Sequence, residues 1–143
     1  ALSAAGCRVL RNAGVVRSGL WVCGIEDRWR GRPELGRALA GCPPELPKVL
    51  LSHHPNVWSS AREAGVEVVL AGHVHGGQLA VPGLADRFNL GLMSTPLALG
   101  VFRDRGSTLV VSAGLGTTGP VFRLGAAPEI VLIELGPDCR ATD

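Results

Sequence analysis

All four histidines of this 143-residue chain fall between positions 53 and 75, as His53, His54, His73 and His75. Imidazole is the commonest protein ligand for metals and titrates near neutrality, so a cluster of this kind points to metal or acid–base chemistry. The richest stretch is Gly72-His73-Val74-His75-Gly76-Gly77-Gln78. On an extended chain, an H-x-H places two imidazoles on one side, a few ångström apart. Gly72, Gly76 and Gly77 would permit a tight turn, with Gly76 and Gly77 leaving room for a bound substrate. Leu51-Ser52-His53-His54-Pro55 brings a third imidazole, His53, to the end of another apolar run. Neighbouring residues on a strand face opposite ways, so His54 is expected outside the site.

These histidines need strands to present them. Apolar runs at 20–25, 49–52 and 66–71 read as strands buried on both faces. The last two end at His53 and just before His73, and ligand sites in open α/β sheets gather at the carboxyl ends of strands. Further strands are expected at 8–10, 78–81 and 130–135, with a turn at 11–14. Segments 100–103 and 108–112 read as a hairpin about Asp104-Arg105-Gly106-Ser107. A short helix is expected over 33–40, opened by Pro33 and stopped by Gly41. Another is expected from an Asn56 cap to Ala64, ended by Gly65. Residues 84–99 form a long irregular loop, the kind that tends to carry function. Strands separated by short helices make the fold class α/β with a largely buried mixed sheet.

Composition narrows the rest. The length favours a single domain over 1–143. A 46% hydrophobic content excludes a disordered polymer, and no apolar run approaches the length of a membrane span. A net charge of +2 argues against a nucleic-acid partner. Lys48 is the sole lysine among 14 basic residues, so arginine, the better phosphate fork, carries the remainder. Cys7, Cys23, Cys42 and Cys139 show no C-x-x-C spacing and are expected to be reduced and structural. Trp21, Trp29 and Trp58 show no pattern and are expected as core or loop anchors. The chain opens at Ala1 without Met, and Arg8 and Arg11 interrupt any leader-like run, which predicts an excerpt of a longer protein.

Taken together, Leu-Ser-His-His-Pro-Asn, a short helix, and Val-Leu-Ala-Gly-His-Val-His-Gly-Gly-Gln resemble the C-terminal half of a calcineurin-like metallophosphoesterase. The nearest likeness is to the bacterial branch with Gly-His-Thr-His-Gly-Gly-Gln. Val9-Leu10-Arg11-Asn12, Cys23-Gly24-Ile25-Glu26-Asp27, residues 111–117 and Pro128-Glu129-Ile130 resemble flanking segments of that branch. The resemblance implies a four-layer α/β/β/α sandwich and two divalent metal ions, Mn, Fe or Zn. It implies His53 and His73 on one metal and His75 on the other. It places Arg123 near the 112–118 loop as a candidate substrate-phosphate contact, with structural pairing as the alternative.

The motifs Asp-x-His, Gly-Asp-x-x-Asp and Gly-Asn-His-Asp/Glu do not occur in this chain. The bridging aspartate and the general acid are therefore expected in an N-terminal half of the same protein. Glu26-Asp27 are expected to cap a loop, with a metal role as the alternative. Residues 112–118 are weighed equally as a phosphate wrap and as an ordinary loop. The implied reaction is hydrolysis of a phosphomonoester, phosphodiester or lipid-linked pyrophosphate, with cytoplasmic or membrane-associated location. Two other readings stand beside it. One is a catalytically incomplete metal-binding fragment or partner-dependent subunit. The other is an amidohydrolase, whose H-x-H leaves the first strand of a (β/α)₈ barrel rather than a mid-chain strand.

Overall fold

Six short strands form a mixed sheet in the computed structural model, which describes residues 3–84, 87–119 and 121–136. They are β1 (Ala13–Arg17), β2 (Leu20–Gly24), β3 (Lys48–Leu51), β4 (Val68–Ala71), β5 (Gly100–Asp104) and β6 (Ser107–Val111). The order across the sheet is β1-β2-β3-β4-β6-β5. The four central strands run parallel, and the two edges, β1 and β5, are antiparallel to their neighbours. The continuous apolar runs thus became the central parallel strands, as burial against a helical layer requires.

The connections follow from the turn chemistry. β1–β2 and β5–β6 are hairpins with two-residue loops, Ser18-Gly19 and Arg105-Gly106, all in the left-handed region. That backbone matches the twist of paired strands, and glycine takes it without strain. Parallel neighbours need crossovers. α1 (Leu35–Leu39) links β2 to β3, and α2 (Trp58–Glu63) links β3 to β4. Both are shorter than the sequence predicts. Asn56 does not cap α2: it lies in the single 3-10 turn Pro55–Val57 before it, and its Oδ1 accepts from Thr95 Oγ1 at 2.7 Å.

One row of side chains crosses the sheet at a single register: Cys23, Leu50, Val69 and Leu109, each with no exposed surface. Ala38 of α1 and Trp58 and Ala61 of α2 close over it, with Trp21 and Val111 at the margins. The opposite face is more open, with Leu51 41% and Val101 51% exposed. Burial on both faces therefore holds for Val49 but fails at Leu51, because both helices join the other face's core. Burial pushes the Cys23 thiol up to about 11, as suits an inert core cysteine. Cys7, Cys23 and Cys42 are free, and Cys139 lies outside the described residues.

The core also holds a polar pair. The Trp58 indole N–H donates to Ser107 Oγ at 3.0 Å, and Ser107 is 3% exposed. Ser107→Ala leaves that donor buried without its acceptor. The expected loss is about 1–3 kcal/mol, read as a lower urea midpoint at unchanged slope. A midpoint equal to that of the unaltered chain would refute it.

Three expected strands are not formed. Residues 8–10 pair with nothing described, and the first strand begins at Ala13, inside the expected turn. Asn12, with φ 49°, makes the corner before it. Residues 78–81 make only isolated bridges, at Leu79 and Ala80. Residues 130–135 run without ladder partners, and Ile130 and Leu132 are 82% and 85% exposed. An apolar run specifies a strand only where a neighbouring edge accepts it.

Candidate metal-binding cleft

β3 and β4 are parallel neighbours, so their carboxyl ends lie side by side. The Gly72 N–H donates to the His53 carbonyl at 3.3 Å and ties the two exits together. Ser52 Oγ donates to the His54 carbonyl at 2.8 Å and bends the chain just after β3. Strand alternation has ended there. Both His53 and His54 turn toward the β4 exit, where His73 waits.

His73 Nδ1 lies 3.1 Å from His53 Nε2. The His54 ring packs on the His73 ring at 3.9 Å between centroids. One donor atom from each of His53, His54 and His73 falls within 4.8 Å of the others. His54 is not exposed: it is 8% exposed and packs beside His53 and His73. Its Nε2 is buried without a hydrogen-bond partner. Burial, then the neighbouring imidazoles, hold both His54 and His73 below the usual histidine range. Each is therefore neutral at neutral pH, the state in which imidazole binds a metal.

His75 takes another direction. The H-x-H segment is not extended: His73, His75 and Gln78 have φ of 70°, 51° and 57°. The Val74 N–H donates back to the Gly72 carbonyl at 2.9 Å, which closes a tight turn. His75 Nε2 then meets Thr118 Oγ1 at 2.9 Å, and Gln78 Oε1 accepts from the Thr118 N–H at 2.8 Å. Left-handed backbone at non-glycine residues carries strain, and such strain collects at functional sites. His53, His73 and His75 still line one open cleft of about 780 Å³, with Asp27, Trp29 and Thr118.

Gly76 and Gly77 are both buried in this turn. Gly77 lines the cleft, whereas a Cβ at Gly76 would meet Ala113 Cβ at 3.1 Å. The room expected at Gly76 is taken by the exit of β6. Arg123 is turned from the cleft. Its guanidinium donates to the carbonyls of His75 (3.1 Å), Ala113 (2.7 Å) and Gly114 (3.0 Å), and also to that of Gly116. It clamps the His75 turn to the loop after β6. Two of that loop's N–H groups are also engaged: Ala113 donates to Glu129 Oε1 and Gly114 to Ser112 Oγ.

Three residues matter more than their sequence suggests. Asp27 follows β2, and its Oδ2 stands 3.5 Å from His54 Nε2. Its Oδ1 accepts from the Trp29 and Arg30 N–H groups, at 2.8 and 2.9 Å. The Trp29 contact is the main cause holding this carboxyl below its usual range. Trp29 is 73% exposed and lies edge-on to His73 and His54, at 4.6 and 4.8 Å. Asn12 is 6% exposed, and its Oδ1 accepts from Glu26 and Glu34 N–H while Nδ2 donates to the Arg32 carbonyl. It pins both ends of the Asp27–Trp29 loop. The flanking segments that resemble the metallophosphoesterases contain Asn12 and Asp27, and this was their signal. Trp29 had none.

Imidazoles gathered at the carboxyl ends of adjacent parallel strands mark an α/β protein with a histidine cluster that could hold a metal ion. Comparison with known proteins agrees. Over 140 residues the chain is 31% identical to a protein of Helicobacter pylori (strain J99) named an uncharacterized metallophosphoesterase, covering 93% of this chain and 36% of that protein. A protein of the same description from Aquifex aeolicus is 30% identical over 148 residues, covering 94% and 52%. A Bos taurus transmembrane protein with metallophosphoesterase domain is 31% identical over 127 residues, covering 80% and 28%. The chain belongs to the calcineurin-like metallophosphoesterase family, whose members use divalent metal. It spans between about a quarter and a half of the length of these relatives. No family model matches it, and no solved structure matches it. No helix among the described residues is long and apolar enough to cross a membrane.

Proposed function

We propose that this chain carries the histidine side of a phosphoesterase active site, equivalent to the C-terminal half of the bacterial-type enzymes. The observation that carries it is the convergence of His53, His73 and His75 on one cleft at the ends of β3 and β4. The residues suit a metal: His54 and His73 are held neutral, and a buried imidazole nitrogen lacks a partner. His53 and His73 would hold one divalent ion and His75 a second, each Mn, Fe or Zn. When bound, such a pair polarises phosphoryl oxygens and lowers the pKa of a water.

The chain's own residues then shape the cleft. Arg123 fixes the His75 backbone, and Thr118 sets the direction of its ring. Arg30 stands at the cleft wall, where an anionic substrate enters. Leu90 lines the same wall and is 52% exposed, and Met93 beyond it is 86% exposed. These apolar side chains favour a lipid-linked phosphoester, and with it membrane association, over a free phosphomonoester. Asp27 is the one carboxylate among the described cleft-lining residues. That favours a catalytically incomplete chain whose bridging aspartate and general acid come from elsewhere in a longer protein.

The test is hydrolysis of bis-p-nitrophenyl phosphate by the product of the complete reading frame and by this chain alone. The longer product is expected to lose activity in chelator and regain it with Mn²⁺ or Zn²⁺, while the chain alone is weak or inactive. His75→Ala is expected to abolish the restored activity. Full activity in His75→Ala would overturn the assignment.

A further inference from the structure

The ligand set proposed above contains His75 and omits His54, yet the side-chain geometry groups the histidines differently. We propose that His53, His54 and His73 form, within this chain alone, a three-imidazole site for one late first-row cation. His54 is then a ligand in its own right. This rests on the reading of the cleft as a metal site and is independent of the phosphoesterase reaction.

Several observations converge. The donor atoms of His53, His54 and His73 lie within 4.8 Å of one another. His75 is outside that group, with its Nε2 against Thr118 Oγ1. His54 Nε2 is buried and unpartnered, and a buried polar atom in a folded protein normally has a partner. The nearest acidic oxygen, Asp27 Oδ2, is 3.5 Å away, beyond ordinary hydrogen-bond length. The three imidazoles pack at centroid distances of 3.9, 4.8 and 5.1 Å, with His54 buried, His73 half-buried and His53 exposed.

The backbone holds this arrangement from two sides. The Ser52–His54 contact bends the β3 exit, and the Gly72–His53 contact locks it to the β4 exit. A positive φ at His73 turns its ring back toward His53. Asp27, anchored through Asn12 and its own turn, places a negative charge 3.5 Å from His54 Nε2. Nitrogen donors select the cation. Zn²⁺, Co²⁺, Ni²⁺ and Cu²⁺ accept imidazole well, whereas Mg²⁺ and Ca²⁺ require oxygen.

Co²⁺ is the probe, because it reports in two ways. Titration of the purified chain is followed by visible d–d absorption and by quenching of Trp29, whose ring is 4.6 Å from that of His73. Native mass spectrometry counts the metal. One Co²⁺ per chain is expected, with Mg²⁺ unable to displace it. His54→Ala and the bulkier His54→Gln are each expected to weaken Co²⁺ binding by at least about 10-fold. Glu45→Ala, an exposed position away from the cleft, is expected to change it by less than about twofold. Trp29→Phe should remove most of the quench and keep the absorption band. Circular dichroism confirms that each variant is folded before it is titrated. Wild-type affinity in both His54 variants would overturn the proposal. So would a Glu45→Ala loss as large as that of His54→Ala, or failure of the unaltered chain to bind Co²⁺. Hydrolysis enters none of these readouts, so absent phosphoesterase activity bears on that reading alone.

Discussion

His73→Ala is expected to weaken transition-metal binding by more than about 100-fold, beyond the 10–100-fold typical of losing a ligand's outer partner. His73 is the joint of the cluster. Its Nδ1 faces His53 Nε2 at 3.1 Å, its ring stacks on His54, and Trp29 stands edge-on to it. His73 also belongs to both groupings of the histidines, so its loss damages the site whichever grouping a given metal uses. Equilibrium dialysis with Zn²⁺ measures the affinity directly. The metal-free chain should be little affected, within about 1 kcal/mol by urea unfolding, because His73 is only half-buried. In the product of the complete reading frame, metal-dependent hydrolysis should vanish as well. Affinity within tenfold of the unaltered chain would show that the cluster is not where the metal sits.

The second large effect is expected at Gly77. Its φ is +80°, and a Cβ there would stand 2.5 Å from Asn89 Cβ and Oδ1. Asn89 cannot easily move aside. Its Oδ1 accepts from the Leu92 N–H at 3.1 Å and caps the 3-10 turn Leu90–Met93. Gly77→Ala therefore combines left-handed strain with overpacking, for an expected loss of about 2–5 kcal/mol. Gly41→Ala is the control. Gly41 has φ +78° but nothing within 4 Å of an added Cβ, so it carries the strain alone, about 1–2 kcal/mol. Urea unfolding of the two variants separates the contributions. Equal losses would show that Asn89 yields and that the packing at Gly77 is loose. Gly77→Ala should also disturb His75, because the Gln78–Thr118 contact that sets its partner follows directly in the chain.

Both effects concern a segment whose importance was legible and whose shape was not. Glycines around an H-x-H announce a turn with ligands. They do not say which residues take positive φ. The structure puts His73 and His75 there themselves, a choice made by the ties to His53 and Thr118 rather than by local preference. That choice sends the two histidines to different neighbours. It also admits His54, which strand alternation would have turned away had β3 continued past Leu51.

Arg123 shows the same division from the other side. Its type suits phosphate, but the loop after β6 supplies three carbonyls that surround it together with those of His75 and Ala126, and the guanidinium joins loop to turn. The run at 130–135 has strand composition yet meets no open edge among the described residues.

What the sequence determined by itself is what short-range chemistry encodes. Continuous apolar runs made the central parallel strands, Arg105-Gly106 made the β5–β6 hairpin, and the histidines came at strand ends. What only the tertiary structure decided is which side chains meet there. The grouping of His54 with His53 and His73, the carboxylate of Asp27 near it and the Trp29 edge beside it depend on contacts between segments up to 44 residues apart. Such contacts are fixed by the packing of β2, β3 and β4 side by side, and no local pattern in the chain records them.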